Sequence, residues 1–475
     1  MTLRGRRPGD KRVRVELVQP REYRIAPPKV VKRPRPPAVV LILGFAFVIA
    51  IGTVLLMLPI SSADGAWTRP LDALFTATSA VCVTGLVVLD TGTHWSGFGH
   101  VVILLLIQVG GFGFMTGSTL LLFLLVGRRT GLRDRVLVQA STGVPELGSV
   151  TTLVKRIALF TILAEVAGAV TLTIAFAVDG EPPLRSAWWG LFHSVSAFNN
   201  AGLDLMGGFR SLTDYADDPW VLGPVAVLII LGGLGYAIVG DVVGKRHWNR
   251  LALETKIVVL TSIALIVGGA LAIGVFEWSN PRTLGALPEG QRPLNALFES
   301  ITLRTAGFSA LDTSGLVEAS LFVVMALMFI GGASGSTAGG IKVNTFSILL
   351  VAIVSTARGV PSAVAFGRRI PHILIYRALS VALLSIAIVF IVGLLLELTS
   401  PPTTSFVEVM FESISAFGTV GASTGITPEL PDPARLVAIV AMFIGRLGPL
   451  TLVLALTARS RTVLSRPAVE TMRIG

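Results

Sequence analysis

The chain has 475 residues, of which 52 % are apolar and only 14 % are charged. Soluble domains carry about 25 % charged residues, so too few polar side chains remain here to coat a water-soluble surface. The single cysteine, Cys82, excludes an internal disulfide framework and a cysteine-based metal cluster, and the five histidines show no metal-ligand spacing. The composition therefore indicates an all-α membrane protein with several spans.

The net charge of +11 is concentrated near the amino terminus. Residues 1–37 contain twelve basic and three acidic residues, so this segment carries +9 and the remaining 438 residues carry +2. A basic segment without a periodic apolar face is typical of disordered tails that set membrane topology and contact anionic lipid. We expect a cytoplasmic tail of this kind and no nucleic-acid partner. Docking to a cytosolic protein is the alternative.

Eight apolar segments are long enough to cross the hydrocarbon core, which takes ~20 helical residues. They are 38–59, 101–126, 154–178, 221–243, 256–276, 319–355 (with a break after 330), 373–396 and 435–457. Shorter, more polar segments lie between alternate pairs, at 70–82, 186–198, 293–304 and 403–417. At ~1.5 Å per residue these reach only about 20 Å, so we predict re-entrant half-helices.

The charges of the loops differ between the two predicted sides of the membrane. Basic residues such as Arg128, Lys245 and Arg369 fall on one side, and acidic residues such as Asp64 and Asp204 fall on the other. Because positive loops stay in the cytoplasm, we expect both termini inside and all four half-helices entering from outside.

The half-helices end in related strings. These are FTATSAVCVTGLV (75–87), FHSVSAFNNAGLD (192–204), FESITLRTAGFSA (298–310) and FESISAFGTVGAS (411–423). The helices that follow also repeat a motif, as QVGGFG (108–113), ILGGLG (230–235), FIGGASG (329–335) and FIGRLG (443–448). The sequence thus predicts four helix–half-helix–helix repeats. Their bounds are 38–126, 154–243, 256–355 and 373–458, followed by a cytoplasmic carboxyl-terminal segment at 459–475.

Four similar units predict a central pore with pseudo-fourfold symmetry. Each half-helix would end near mid-membrane with unpaired carbonyls and about −0.5 charge from its dipole, so four such ends attract a cation. Glycine lets the following strand turn its carbonyl oxygens towards the axis, which is how a potassium filter works. The predicted filter residues are Val83, Thr84, Gly85, Asn200, Ala201, Gly202, Thr305, Ala306, Gly307, Thr419, Val420 and Gly421.

These motifs resemble the Ktr/Trk/HKT superfamily of potassium transporters over residues 38–458. RTAGFS (304–309), FGTVG (417–421), GSTAGGIK (335–342) and GRLGPLTL (445–452) look most like the Ktr-type membrane subunit. The resemblance implies potassium uptake across the plasma membrane, a homodimer, no cofactor in this chain, and a separate cytosolic ring that binds ATP or ADP, with sodium as a further effector. In plant relatives serine at the first filter position is associated with sodium transport, so Gly85 implies a preference for potassium.

The sixth span is interrupted by ten consecutive small residues, GGASGSTAGG (331–340). Each glycine costs a helix ~1 kcal/mol relative to alanine, so we predict a loop inside the membrane, below the third filter segment. In Ktr and Trk relatives the matching segment is an intramembrane gate; a packing seam of small residues is the alternative. The predicted gate residues are Gly332, Ser334, Gly335, Ser336, Thr337, Gly339, Gly340, Lys342 and Arg446.

Arg446 breaks the symmetry of the repeats. The quasi-equivalent positions of the other three motifs are Gly111, Gly233 and Gly332. An arginine inside a span costs ~2.5–3.5 kcal/mol on insertion scales and so faces water or a partner. We predict that Arg446 lies below the filter, binds carbonyls of the gate loop and repels cations. The alternative is a purely structural pair with an acid such as Glu412.

Two other function classes remain open. The string 332–335 matches the G-x-S-G of intramembrane serine proteases, but these need a histidine base within reach of the serine, and none is predicted there, so we expect no enzyme. Glu165, Glu299 and Glu412 fit the proton relays of a secondary transporter for another solute, in which Gly85→Ser would have little effect. Glu299 and Glu412 fit better as residues that cap or orient half-helices.

Overall fold

The structure, a computed structural model, describes residues 37–127 and 150–448. The predicted basic tail, apart from residue 37, and the carboxyl-terminal segment at 459–475 lie outside the described residues. The same holds for the last residues of the eighth predicted span.

The described residues form a chain of helices with one small hairpin. The helices are α1 (Pro37–Met57), α2 (Pro70–Cys82), α3 (Gly97–Gly127), α4 (Val150–Val178), α5 (Pro183–Asn199), α6 (Pro219–Lys245), α7 (Leu253–Glu277), α8 (Arg292–Thr302), α9 (Glu318–Phe329), α10 (Val343–Ala357), α11 (His372–Thr399), α12 (Phe406–Gly418) and α13 (Asp432–Leu447). One further α-helical turn spans Thr91–His94. Short 3-10 helices lie at Pro59–Ser61, Thr213–Tyr215, Trp248–Arg250, Leu284–Ala286, Thr313–Gly315 and Thr427–Glu429. Strands β1 (Val364–Ala365) and β2 (Arg368–Arg369) pair antiparallel.

The prediction of an all-α membrane protein is confirmed. Five described helices are long and apolar enough to cross a membrane, namely Gly97–Thr116, Thr152–Val178, Pro219–Lys245, Leu253–Glu277 and His372–Thr399. Leu41–Met57, Glu318–Phe329 and Val343–Ala357 are apolar but shorter. The predicted break in the sixth span separates α9 from α10.

The half-helices begin and end where local chemistry favours it. Proline occupies the first or second position of α2, α5 and α8, where its missing N–H costs nothing. The start of α12 is a capping box, in which Ser405 and Glu408 each accept the other's backbone N–H. After α2, α5 and α12 the chain turns at a left-handed residue, which satisfies terminal carbonyls. In α8, which is one residue shorter in its repeated string, the left-handed residue is Thr305.

Three half-helices dock on the preceding span through the same contact. A serine hydroxyl donates to a carbonyl of that span, and the pairs are Ser194 to Glu165 (2.6 Å), Ser300 to Ile266 (2.7 Å) and Ser413 to Val389 (2.9 Å). On the other side, the first glycine of the repeated motif of the following helix packs on a half-helix carbonyl. A Cβ there would overlap the carbonyl in three repeats, and the pairs are Gly110 with Val81, Gly232 with Phe198 and Gly445 with Phe417. The repeated motifs therefore set the close packing around each half-helix.

Candidate functional site

Four glycines, each from one repeated string, follow one another in a closed ring. A Cβ added to Gly85 would lie 2.6 Å from the carbonyl oxygen of Ala201 and 3.2 Å from Cα of Gly202. A Cβ on Gly202 would meet Ala306 and Gly307 in the same way. The remaining two contacts join Gly307 to Val420 and Gly421, and Gly421 back to Thr84 and Gly85. We call Gly85, Gly202, Gly307 and Gly421 the glycine ring.

In the residue directly before each ring glycine, the backbone N–H group and the C=O group have different partners. The N–H groups of Thr84, Ala201 and Val420 donate to half-helix carbonyls at 2.8–2.9 Å, and that of Ala306 donates to Thr302 at 2.8 Å. The carbonyl oxygens of the same four residues lie beside the glycine of the adjacent repeat. All four glycines have φ between 67° and 94°, a region that L side chains rarely adopt. The ring thus presents backbone oxygens and excludes side chains.

Of the four residues that stand two positions before a ring glycine, three contact the loop between α9 and α10 through their side chains. Thr337 Oγ1 donates to Asn200 Oδ1 at 3.1 Å. A Cβ on Gly331 would lie 3.2 Å from Thr305 Cγ2, and one on Gly339 would overlap Thr419 Oγ1. The loop therefore lies directly against the predicted filter segments.

The loop, residues 331–342, is a compact buried structure that we call the interrupting loop. Its neck is closed by backbone hydrogen bonds from Gly331 to Ile341 (2.8 Å) and from Val343 to Gly332 (3.0 Å). Its tip packs on α6, which is kinked at Gly235. There a Cβ would lie 3.0 Å from Cα of Ser336. Ser336 is fully buried, as is Thr337.

The side chain of Asn344, near the start of α10, also holds the interrupting loop in place. The backbone N–H of Ser334 donates to Asn344 Oδ1 at 2.8 Å. Asn344 Nδ2 in turn donates to Glu254 Oε1 at 2.6 Å. Because Glu254 lies in the first turn of α7, the interrupting loop is linked to the end of a neighbouring span.

Two cations hold the carbonyls of the interrupting loop, namely the buried Arg446 of α13 and Lys342, the half-buried last residue of the loop itself, and both lie over one aromatic ring. Arg446 Nη1 donates to the carbonyl of Thr337, and its Nη2 donates to Gly110 at 3.1 Å. Lys342 Nζ donates to the carbonyl of Ala338. The guanidinium carbon of Arg446 lies 4.4 Å, and Lys342 Nζ 5.0 Å, from the Phe114 ring centre, within the range of cation–π attraction.

The alternative partner for Arg446 is not found. Glu412 accepts a hydrogen bond from Thr427, and within residues 37–127 and 150–448 no ion pair involves Arg446. Arg446 instead contacts carbonyl oxygens of the interrupting loop and of α3. The contact with the loop had been expected from the sequence, and the contact with α3 had not. Phe114 was not singled out by the sequence, although its position four residues after Gly110 places it one helical turn away.

Arg304 is a second buried arginine that sequence reasoning passed over. It is 8 % exposed, and its Nη2 donates to the carbonyl of Gly331 at 3.1 Å and to Ser262 Oγ at 3.4 Å. It stands three residues before Gly307, where the other repeats have Cys82, Asn199 and Gly418. The sequence could have revealed Arg304, because it places a charge where the other three repeats have uncharged residues, just as Arg446 does.

The residues behind the other function classes have structural partners. Glu165 Oε1 accepts from Asn199 Nδ2 at 2.9 Å, so it supports the end of α5. Ser334 receives no hydrogen bond from any described histidine, and His193 is engaged with the backbone of Trp189 and Leu205. The arrangement does not assemble the protease site that G-x-S-G suggested.

Two carboxylates lie in the loops that follow the first two ring glycines. Asp90 accepts the N–H groups of Thr93 (2.8 Å) and Phe209 (2.7 Å), which ties the two loops together. Burial raises the pKa of the Asp204 carboxyl to about 7, and the negative charge of Asp90 adds to this shift. The charge of Asp204 in this loop therefore depends on pH near neutrality.

Fold and site together define a helical membrane protein in which the chain after four short helices brings backbone oxygens to one ring. The family model described as TrkH, cation transport protein, matches residues 35–462. The chain therefore belongs to the TrkH family of cation transport proteins.

Similar proteins cover nearly the whole chain. The Ktr system potassium uptake protein B of Bacillus subtilis (strain 168) is 41 % identical, over 93 % of this chain and 98 % of its own length. The protein of the same name from Vibrio alginolyticus is 39 % identical, over 90 % and 93 %. The potassium/sodium uptake protein NtpJ of Enterococcus hirae is 37 % identical, over 91 % and 95 %. The crystal structure of the potassium transporter TrkH from Vibrio parahaemolyticus shares the fold, with TM-score 0.69, 18 % identity, and 90 % and 86 % coverage.

Proposed function

We propose that this protein takes up potassium across the cell membrane, down the electrochemical gradient, through the backbone oxygens at the glycine ring. The observation that carries the proposal is the closed succession of Gly85, Gly202, Gly307 and Gly421, with a carbonyl oxygen of one repeat beside the glycine of the next. Carbonyl oxygens replace the hydration shell of potassium, and each half-helix end adds about −0.5 charge.

The names of the relatives support this choice of ion. Two are potassium uptake proteins, and a third is named for potassium and sodium. The ion is the substrate, and the twelve filter residues predicted from the sequence are the residues we assign to it. An inside-negative potential assists uptake by about 2.3 kcal/mol per charge per 100 mV.

The interrupting loop is our candidate for the gate. It contacts Asn200, Thr305 and Thr419, which are three of the residues that we assign to the filter. The positive charges of Arg446 and Lys342 are held against its carbonyls, and such charges repel a permeating cation. Opening therefore requires the loop and these two side chains to move together.

The orientation of the protein in the membrane is inferred from the charges of its loops, and its partners are inferred from the family resemblance. By the positive-inside rule we place both termini in the cytoplasm, with the four repeats in the plasma membrane. The resemblance adds a homodimer and a cytosolic ring that binds ATP or ADP, with sodium as a further effector.

Growth at low potassium tests the function. We expect expression of the chain to restore growth of a cell that lacks its potassium uptake systems when external potassium is scarce. A matched strain with an empty vector, grown at high potassium, controls for general fitness. Failure to grow or to accumulate rubidium, with the protein present in the membrane, would contradict the proposal.

Arg446→Gln is expected to raise rubidium influx. The change removes the charge and the hydrogen bonds to Thr337 and Gly110. Because hydrogen bonds to charged groups contribute about 1.5–3 kcal/mol, influx should rise about tenfold. Arg69→Gln, which alters an exposed arginine paired with Asp432, should leave influx unchanged. Equal influx in the Arg446 variant and the parent protein would remove this arginine from the gate.

A further inference from the structure

One buried position recurs in all four half-helices and takes no part in the mechanism above. It directly follows the phenylalanine that opens each repeated string, and its occupants are Thr76, His193, Glu299 and Glu412. Each is at most 5 % exposed. In the described part of the chain no ion pair involves either glutamate. Since a buried carboxyl is costly unless it is hydrogen-bonded, the partners of these residues indicate their role.

In the third repeat, Glu299 binds the chain that leaves the glycine ring. Its Oε1 accepts the backbone N–H groups of Ala310 (2.7 Å) and Leu311 (3.1 Å) and the hydroxyl of Ser309 (3.0 Å). These three donors lie two to four residues after Gly307. The strand before Gly307 is fixed by its own N–H bonds to Thr302, so the segment is held on both sides of the glycine.

The second repeat makes the same link with a different side chain. His193 Nε2 accepts the N–H of Leu205 at 3.3 Å, and Leu205 follows Gly202 by three residues, as Ala310 follows Gly307. His193 Nδ1 lies 2.7 Å from the carbonyl of Trp189. Because that carbonyl can only accept, Nδ1 carries the proton and Nε2 is left as an acceptor.

In the fourth repeat, Glu412 accepts the hydroxyl of Thr427. Thr427 Oγ1 also lies 2.9 Å from Ser423 Oγ, and Ser423 follows Gly421 by two residues, as Ser309 follows Gly307. The first repeat lacks the link, because Thr76 Oγ1 donates to the carbonyl of Asp72 in its own helix at 3.0 Å. The molecule thus contains three linked repeats and one unlinked repeat for comparison.

We propose that Glu299, His193 and Glu412 are positioning residues for ion selectivity. Each accepts hydrogen bonds from the segment that follows a ring glycine and fixes that segment to its half-helix, so that the ring of oxygens keeps one width. This inference rests on the proposed function of the glycine ring. It has a physical basis in the need to hold a binding constellation within about 0.5 Å, to which these side-chain hydrogen bonds contribute on the far side of three ring glycines.

Rubidium and sodium uptake by substituted proteins test the inference, at matched amounts of protein in the membrane. For Glu299→Leu we expect a rise of about tenfold in the apparent KM for rubidium and a similar loss of rubidium-over-sodium selectivity, because several hydrogen bonds to one charged group disappear. Glu299→Gln keeps a side-chain oxygen and should recover most of both properties. Thr76→Val alters the same register position where no link exists, and it should leave both values unchanged.

Two less disruptive variants provide the test if the Glu299→Leu protein does not reach the membrane. Thr427→Val removes the donor to Glu412 and should lower selectivity, whereas Thr427→Ser keeps the hydroxyl and should preserve it. Unchanged KM and selectivity in Glu299→Leu, or in Thr427→Val if the former is absent, would overturn the inference. An equal loss in Thr76→Val would also overturn it. If the parent protein moves no rubidium at all, the proposed function itself fails, which is a separate outcome.

Discussion

Serine in place of Gly85 is expected to lower rubidium uptake at least tenfold and to raise the share of sodium among the ions carried. Gly85 has φ of 94°, and a side chain in such a conformation costs about 1–3 kcal/mol. Its Cβ would also lie 2.6 Å from the carbonyl oxygen of Ala201, one of the oxygens that we assign to the ion. Both effects displace the same ring. Uptake of rubidium and sodium from mixtures, at equal protein amounts, measures the change.

Gly97→Ser is the matched control for this prediction. Gly97 lies at the start of α3, and a Cβ there meets nothing within 4 Å. We expect it to transport as the parent protein does. If Gly85→Ser also keeps its uptake and selectivity, the glycine ring is not the site of ion selection, and ions would have to cross elsewhere in the protein.

Deletion of residues 333–339 is expected to raise rubidium influx by about tenfold or more, because a barrier change of 1.4 kcal/mol already gives that factor. The neck of the interrupting loop is closed by hydrogen bonds between Gly331 and Ile341 and between Val343 and Gly332, so the ends that must be rejoined already lie close together. The deletion removes Thr337, which binds both Asn200 and Arg446. Tracer influx into cells or vesicles measures the effect.

The deletion combined with Gly85→Ser distinguishes an open gate from a damaged membrane protein. If ions pass through the glycine ring, the double variant should lose most of the added rubidium influx. Influx that stays high in the double variant would indicate a leak elsewhere. Influx that stays low in the single deletion, with the protein correctly inserted, would count against the loop as the gate.

The half-helices could be predicted from the sequence because their signals are local. Length, proline at the start and a repeated string at the end are all properties of short segments, and the helix bounds agree to within a few residues. The interruption of the sixth span was equally readable, because a run of small residues between 331 and 340 cannot sustain a helix.

The side-chain partners were harder to predict because they join distant parts of the chain. Glu299 and Glu412 were expected to cap or orient half-helices, but the capping acid of α12 is Glu408. Glu299 instead binds chain that lies beyond the ring glycine of its repeat. Likewise, Arg446 meets Gly110 more than three hundred positions away in the sequence. Such contacts depend on how the repeats assemble, which a single repeat does not encode.

The link from Ser334 through Asn344 to Glu254 has a mechanical consequence. These two hydrogen bonds connect the interrupting loop to the first turn of α7, at the end of the span that the positive-inside rule places in the cytoplasm. A force applied to that end would reach the loop without passing through the glycine ring. With the interrupting loop as the gate that we propose, this link would alter how often the protein conducts and leave the choice of ion, at the glycine ring, unchanged.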